Sequence, residues 1–219
     1  MKFFEFLFFS MLEYLSFFYF ILVLFRFGLK ENMAKFFVFA LILSLVSNTF
    51  QTESLQTVSP IVQASLMIFF VLFFLRVHIM NAILMVVTGY LTYAIIQWTI
   101  IALTLHISGE QEIVPYTNQA FIIQAASAFL FFVFALIIYV QKGGFSFIDT
   151  SSRYKRSKFF VKENRLFILY LCVAILVTFI SNILLIESSN PPYLLFSILF
   201  VVFLSGLIYI SVKRDEQKR

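Results

Sequence analysis

Charge is scarce in this sequence. Only 12% of its 219 residues are Asp, Glu, Lys or Arg, against 62% hydrophobic, a balance far from that of a soluble domain. Cysteine is nearly missing too: Cys172 is single and lies inside an apolar run, which excludes an intrachain disulfide framework and a thiolate metal site. There is no H-E-x-x-H, no glycine-rich phosphate loop, no G-x-S-x-G and no acidic cluster suited to a metal, so no enzyme class and no cofactor is indicated. The net charge of +5 does not point to nucleic acid, because the basic residues sit beside apolar spans, where they orient helices in a bilayer.

What is abundant is long apolar runs. Residues 57–106 are almost continuously apolar, broken only at Arg76-Val77-His78. One bilayer-spanning helix needs about 20 apolar residues, so this stretch reads as two membrane helices joined by a hairpin too short to leave the interface. The same pattern repeats along the chain. The fold class expected is all-α, a polytopic membrane bundle of seven transmembrane helices at about 3–25, 34–50, 57–75, 79–105, 119–140, 166–186 and 193–212. The whole chain forms one domain, since its longest link, 141–164, and its short tail are too small to fold alone. Residues 3–25 are too long for a signal-peptide core and no small-residue cleavage site follows, so this span is expected to be retained. Gly28 is available to stop the first helix, Pro60 suits the first turn of the third, and Gly143-Gly144 can close the fifth.

Sidedness follows from the basic residues, which accumulate in cytoplasmic links. With seven alternating spans, every one of the 16 Lys and Arg residues except Lys2 falls on the same side. The N-terminus is therefore expected outside and the C-terminus inside, in a cell membrane. The basic run Arg153-Tyr154-Lys155-Arg156-Ser157-Lys158 is explained by this topology, with anionic headgroups or a cytoplasmic signalling partner as the second reading. The odd helix count and the absence of a convincing repeat argue against two inverted halves. The 32 phenylalanines read as lipid-facing bulk and dispersion packing rather than an aromatic cage.

Candidate chemistry begins with Glu13, roughly 15 Å inside the first span at 1.5 Å per residue. A carboxyl at that depth must face protein or water, be protonated, or find a donor. It is either a ligand or proton site or a hydrogen-bonded strut between helices. Gln63, Gln97 and Gln124 fall at a similar depth in the external third, along with Asn48, Ser181 and Asn182. Tyr90, Tyr93 and Gln97 share one face of the fourth helix, beside Gly89, which allows close approach of a neighbour. The candidate ligand-binding residues are thus Glu13, Gln63, Tyr90, Tyr93, Gln97 and Gln124. Together they describe a pocket open to the outside that takes a small hydrophobic molecule or peptide; amides near helix ends that meet interfacial water or bind helices together are the alternative. His78 with Arg76 suits an interfacial turn. Cys172 and His78 carry no local mark of an activated Cys–His pair.

The hairpin Phe74-Leu75-Arg76-Val77-His78-Ile79-Met80-Asn81-Ala82-Ile83, followed by Thr88-Gly89-Tyr90-Leu91-Thr92-Tyr93 and Gln97 within seven spans, resembles the membrane sensor half of AgrC-like peptide-pheromone receptor histidine kinases of Gram-positive bacteria. In that family a cytoplasmic module with the phospho-accepting histidine and ATP site follows the last helix. Here the last span is followed by Lys213-Arg-Asp-Glu-Gln-Lys-Arg219. The resemblance therefore implies a sensor-like receptor in quorum sensing without kinase activity of its own, and it transfers no ligand contact. The alternative is a small substrate-binding subunit of a transporter, or a modulator subunit of a membrane complex.

Overall fold

In a bilayer core, backbone N–H and C=O groups must be satisfied within the protein, so long apolar segments become helices or closed barrels. The computed structural model describes residues 2–50, 58–109, 113–148, 165–188 and 191–216, and among these it contains helices and no strand. The elements are α1 (Lys2–Leu24), α2 (Leu29–Thr49), α3 (Ser59–Leu75), α4 (Ile79–Ser108), α5 (Asn118–Val140), α6 (Arg165–Glu187) and α7 (Tyr193–Glu216). The basic run 153–158 and the links 51–56 and 110–112 lie outside the described residues. Five of the helices, α1, α4, α5, α6 and α7, are long and apolar enough to cross a membrane, and α3 is a shorter apolar helix.

Successive helices run in opposite directions, as the contacts between their ends require. Near the start of α1, Phe6 meets Tyr116, which precedes α5, and Tyr116 donates to Asn48 at the end of α2, 3.0 Å away. Trp98, late in α4, packs on Phe196 and Phe200, early in α7. At the other end, Phe145 follows α5 and its N–H donates to the Leu24 carbonyl at the end of α1. α4 lies at the centre, packed against α1, α3, α5, α6 and α7, while α1 is sandwiched mainly between α2 and α5.

Phenylalanine supplies much of this packing. Phe131 of α5 stacks on Phe20 with centroids 4.4 Å apart, Phe18 stacks on Phe36 at 4.6 Å, and Phe39 on Phe70 at 3.8 Å. Such ring pairs contribute about 0.5–1.5 kcal/mol each beyond burial. Phe8, Phe69, Phe73, Phe129 and Phe134 point outward instead. The phenylalanines thus divide between helix contacts and an apolar exterior. Gly89 lets α4 approach α1: a Cβ there would sit 3.0 Å from the Phe17 ring and from Ile21.

Several helix ends differ from the sequence expectation. α2 starts at Leu29 rather than 34, taking Lys30, Glu31, Asn32 and Lys35 into its first turns, where Asn32 donates to the Gly28 carbonyl at 2.8 Å. α4 continues to Ser108 and α7 to Glu216. Hydropathy ends where charge begins, whereas a helix continues until its backbone is capped. The residue that stops α1 is not Gly28 but Arg26, at φ 54, with Arg26 N–H donating to Val23 O and Phe27 N–H to Leu22 O. Likewise α5 is closed by Lys142 at φ 52, with Lys142 N–H on Tyr139 O and Gly143 N–H on Ile138 O. Both are Schellman ends with a basic residue in the left-handed position. Arg76, at φ 51, closes α3 in the same conformation. His78 caps α4, its Nδ1 accepting from Met80 N–H at 3.4 Å; burial pushes this imidazole below its ordinary pKa, toward the neutral form that accepts.

Candidate functional site

α1 brings two consecutive polar side chains, Glu13 and Tyr14, into an otherwise Phe-rich helix. Adjacent residues point about 100° apart around a helix, and so they meet different neighbours. Glu13 turns to α4: its Oε1 accepts from the Tyr93 hydroxyl in a short hydrogen bond and from Gln97 Nε2 at 3.5 Å. Tyr93 is held in place by an edge contact with Phe131, centroids 5.5 Å apart. Tyr14 turns to α3, where its hydroxyl donates to Gln63 Oε1 at 2.9 Å. Gln63 Nε2 in turn donates to Ser59 Oγ at 2.8 Å and reaches Ser47 Oγ of α2 at 3.4 Å. One turn of α1 therefore ties α2, α3 and α4 together through uncharged donors and a single carboxyl.

Tyr90 does not join Glu13. Its hydroxyl donates to Asn182 Oδ1 of α6 at 3.1 Å, and Asn182 Nδ2 donates to the Thr178 carbonyl at 2.7 Å. Both residues line a cleft of about 320 Å³ walled by α3 (Pro60, Ile61, Ala64) and α6 (Ile175, Leu176, Phe179), with Val86 and Val87 of α4 at its back. α3 and α6 touch each other only slightly, and Ile61, Ile175 and Leu176 remain exposed at the cleft. It is consequently an apolar recess between two helices, whose polar groups are the Tyr90 phenol, the Asn182 amide and the hydroxyls of Ser65 and Thr178. Its volume is at the lower end of the range for small-molecule sites, about 300–1,000 Å³.

Of the six residues singled out in the sequence, Glu13, Tyr93 and Gln97 come together, Gln63 joins through Tyr14, and Tyr90 lines the cleft with Asn182. Gln124 is set apart: its buried side-chain oxygen has no hydrogen-bond partner among the described residues. The shared face expected for Tyr90, Tyr93 and Gln97 is divided: Tyr90 bonds to Asn182 of α6, whereas Tyr93 and Gln97 bond to Glu13 of α1. Tyr14 was not read from the sequence as a site residue. Its signal was a tyrosine where neighbouring aromatic positions of the helix carry phenylalanine. Cys172 is exposed on α6.

A second polar assembly lies at the opposite end of the bundle. Beyond α5 the chain turns at Gly144, φ 97, where a Cβ would lie 2.6 Å from the Leu24 carbonyl oxygen. Phe145, Phe147 and Ile148 are buried beneath the ends of α1 and α7. Asp215 of α7 accepts from both the N–H and the hydroxyl of Ser146 at 2.8 Å, and the Arg214 guanidinium lies over the Phe167 ring at 4.1 Å. No spacing motif in the sequence announces this clasp. Among the described residues no group of His, Cys, Asp and Glu is placed to hold a metal ion.

No family model, curated protein sequence or solved structure matched the chain. What it does must be argued from its own residues, and those describe a membrane-embedded, multi-pass helical protein.

Proposed function

We propose that this protein is a sensor-like membrane receptor, which holds a small hydrophobic molecule or the apolar part of a peptide in the cleft between α3 and α6. All seven helices span the membrane in this reading, with the N-terminus outside and the C-terminus inside a bacterial cell membrane. The observation that carries it is the cleft: an apolar recess of about 320 Å³ with the Tyr90 hydroxyl and Asn182 as orienting groups. A mostly apolar site with a few placed polar groups is the usual form of a small-ligand pocket. The resemblance of 74–97 to AgrC-like sensor halves supports the same reading, with a peptide pheromone as the ligand class and a separate signalling partner on the cytoplasmic side. Topology is supported by the basic residues Arg26, Arg76 and Lys142, which close α1, α3 and α5 at one end of the bundle.

The test is photolabelling of the protein in lipid nanodiscs with an apolar aryl diazirine. Peptides covering 60–68 and 175–182 are expected to carry label beyond that of the outward face of α5, and Ala64→Trp, which fills the recess, is expected to abolish the excess. Labelling at the level of the α5 face, unchanged by Ala64→Trp, refutes a ligand cleft.

A further inference from the structure

Glu13 is the one Asp or Glu in the middle of a described helix, and among the described residues no basic side chain is there to match it. Along α1 the other charged residues are Lys2 and Glu5, in its first turn. The described basic residues of the other helices and links lie at or near helix ends: Lys30, Lys35, Arg26, Arg76, His78, Lys142, Lys213 and Arg214 at one end, and His106 in the last turn of α4 at the other. The helices packed against α1 near Glu13 present only phenols and neutral groups. α4 offers Tyr93 and Gln97, while Tyr90 is turned to Asn182; α3 offers Gln63, which is taken by Tyr14 and reaches Ser47 of α2; and α5 carries Gln124 and Ser127 as buried neutral groups. Among the described residues, both hydrogen bonds that Glu13 accepts fall on Oε1. The side chain is neither fully enclosed nor open.

We propose that Glu13 is a proton-binding site, taking a proton from water and returning it, with Tyr93 and Gln97 as the residues that position the carboxyl. The inference rests on the membrane-embedded bundle and not on occupancy of the cleft. Burial in a membrane bundle favours the neutral carboxyl, two neutral donors on one oxygen favour the carboxylate, and no cation among the described residues decides between them. The reaction is the simplest one: a proton from the aqueous phase forms an O–H bond on the carboxylate, and the same bond breaks on release. Its consequence is local. Ionised, Glu13 only accepts; protonated, it becomes a donor as well, so the pairing with Tyr93 across the α1–α4 contact is reset where Gly89 holds these helices close.

Infrared difference spectra of the protein in nanodiscs, recorded between about pH 5 and about pH 9 without ligand, test this. The wild type is expected to show a pH-dependent carbonyl band of a protonated carboxyl that Glu13→Gln lacks. Tyr93→Phe, which keeps the carboxyl and the ring, is expected to shift that band to higher frequency, because a hydrogen bond is lost. Glu13→Asp is expected to keep a band at an altered position, which guards against a Gln variant that does not fold. Spectra identical among wild type, Glu13→Asp and Tyr93→Phe overturn the proposal and leave Glu13 a fixed strut. Diazirine labelling of the cleft does not enter this measurement, so either proposal can fail alone.

Discussion

The guanidinium of Arg26 donates to the carbonyl oxygens of Gly143, at 3.1 Å, and Lys142, at 2.6 Å, across more than a hundred residues of chain. It thereby joins the two Schellman ends of α1 and α5, whose orphan carbonyls would otherwise face the interface unpaired. The Phe145 N–H on Leu24 O, at 2.7 Å, completes the join in the other direction.

This join sets the first prediction. Gly144→Ala places a side chain on a left-handed residue and a Cβ 2.6 Å from the Leu24 oxygen, so it is expected to destabilise the bundle by at least about 1 kcal/mol. Gly143→Ala, whose Cβ would meet Ile138 at an ordinary 3.4 Å, is expected to change little. Thermal unfolding of both variants in nanodiscs measures the difference; equal midpoints would mean that the turn is not built as described.

Gly89 sets the second. Gly89→Val forces α1 and α4 apart at Phe17 and Ile21, and overpacking of this kind costs about 1–3 kcal/mol. Phe17→Leu in the same chain is expected to recover part of the loss. A double variant no more stable than Gly89→Val would show that Phe17 is not the neighbour that matters.

The Tyr14–Gln63 pair suits a double-mutant cycle. Tyr14→Phe removes the donor at 2.9 Å and leaves the Gln63 oxygen unpaired, a loss expected at about 1–3 kcal/mol. Tyr14→Phe with Gln63→Leu removes both halves and should cost less than the two single changes together. Strict additivity would exclude a direct bond.

Sidedness is tested by reporters. A reporter at residue 150 and another at the C-terminus are expected to be cytoplasmic, and a tag at residue 110 is expected to be accessible from outside. Residue 150 outside would end the seven-span topology.

By itself the sequence determined that this is a helical membrane protein, and roughly where each helix runs, because a bilayer demands apolar runs of a given length and internal backbone bonding regardless of their neighbours. It also marked Glu13, Tyr93 and Gln97 as out of place in hydrocarbon, which is a property of the residue and its depth alone. Only the tertiary structure decided their partners. Tyr90 and Tyr93 lie three residues apart and were expected on one face, yet they turn to α6 and α1, because rotamer and helix crossing, not spacing, choose which neighbour a long side chain reaches. Helix ends were misread for a related reason. At the ends of α1 and α5, Arg26 and Lys142 rather than glycines take the left-handed positions, and Gly144 is reserved for the turn where Leu24 comes too close for any side chain. That proximity arises between segments distant in sequence, and no local pattern carries it.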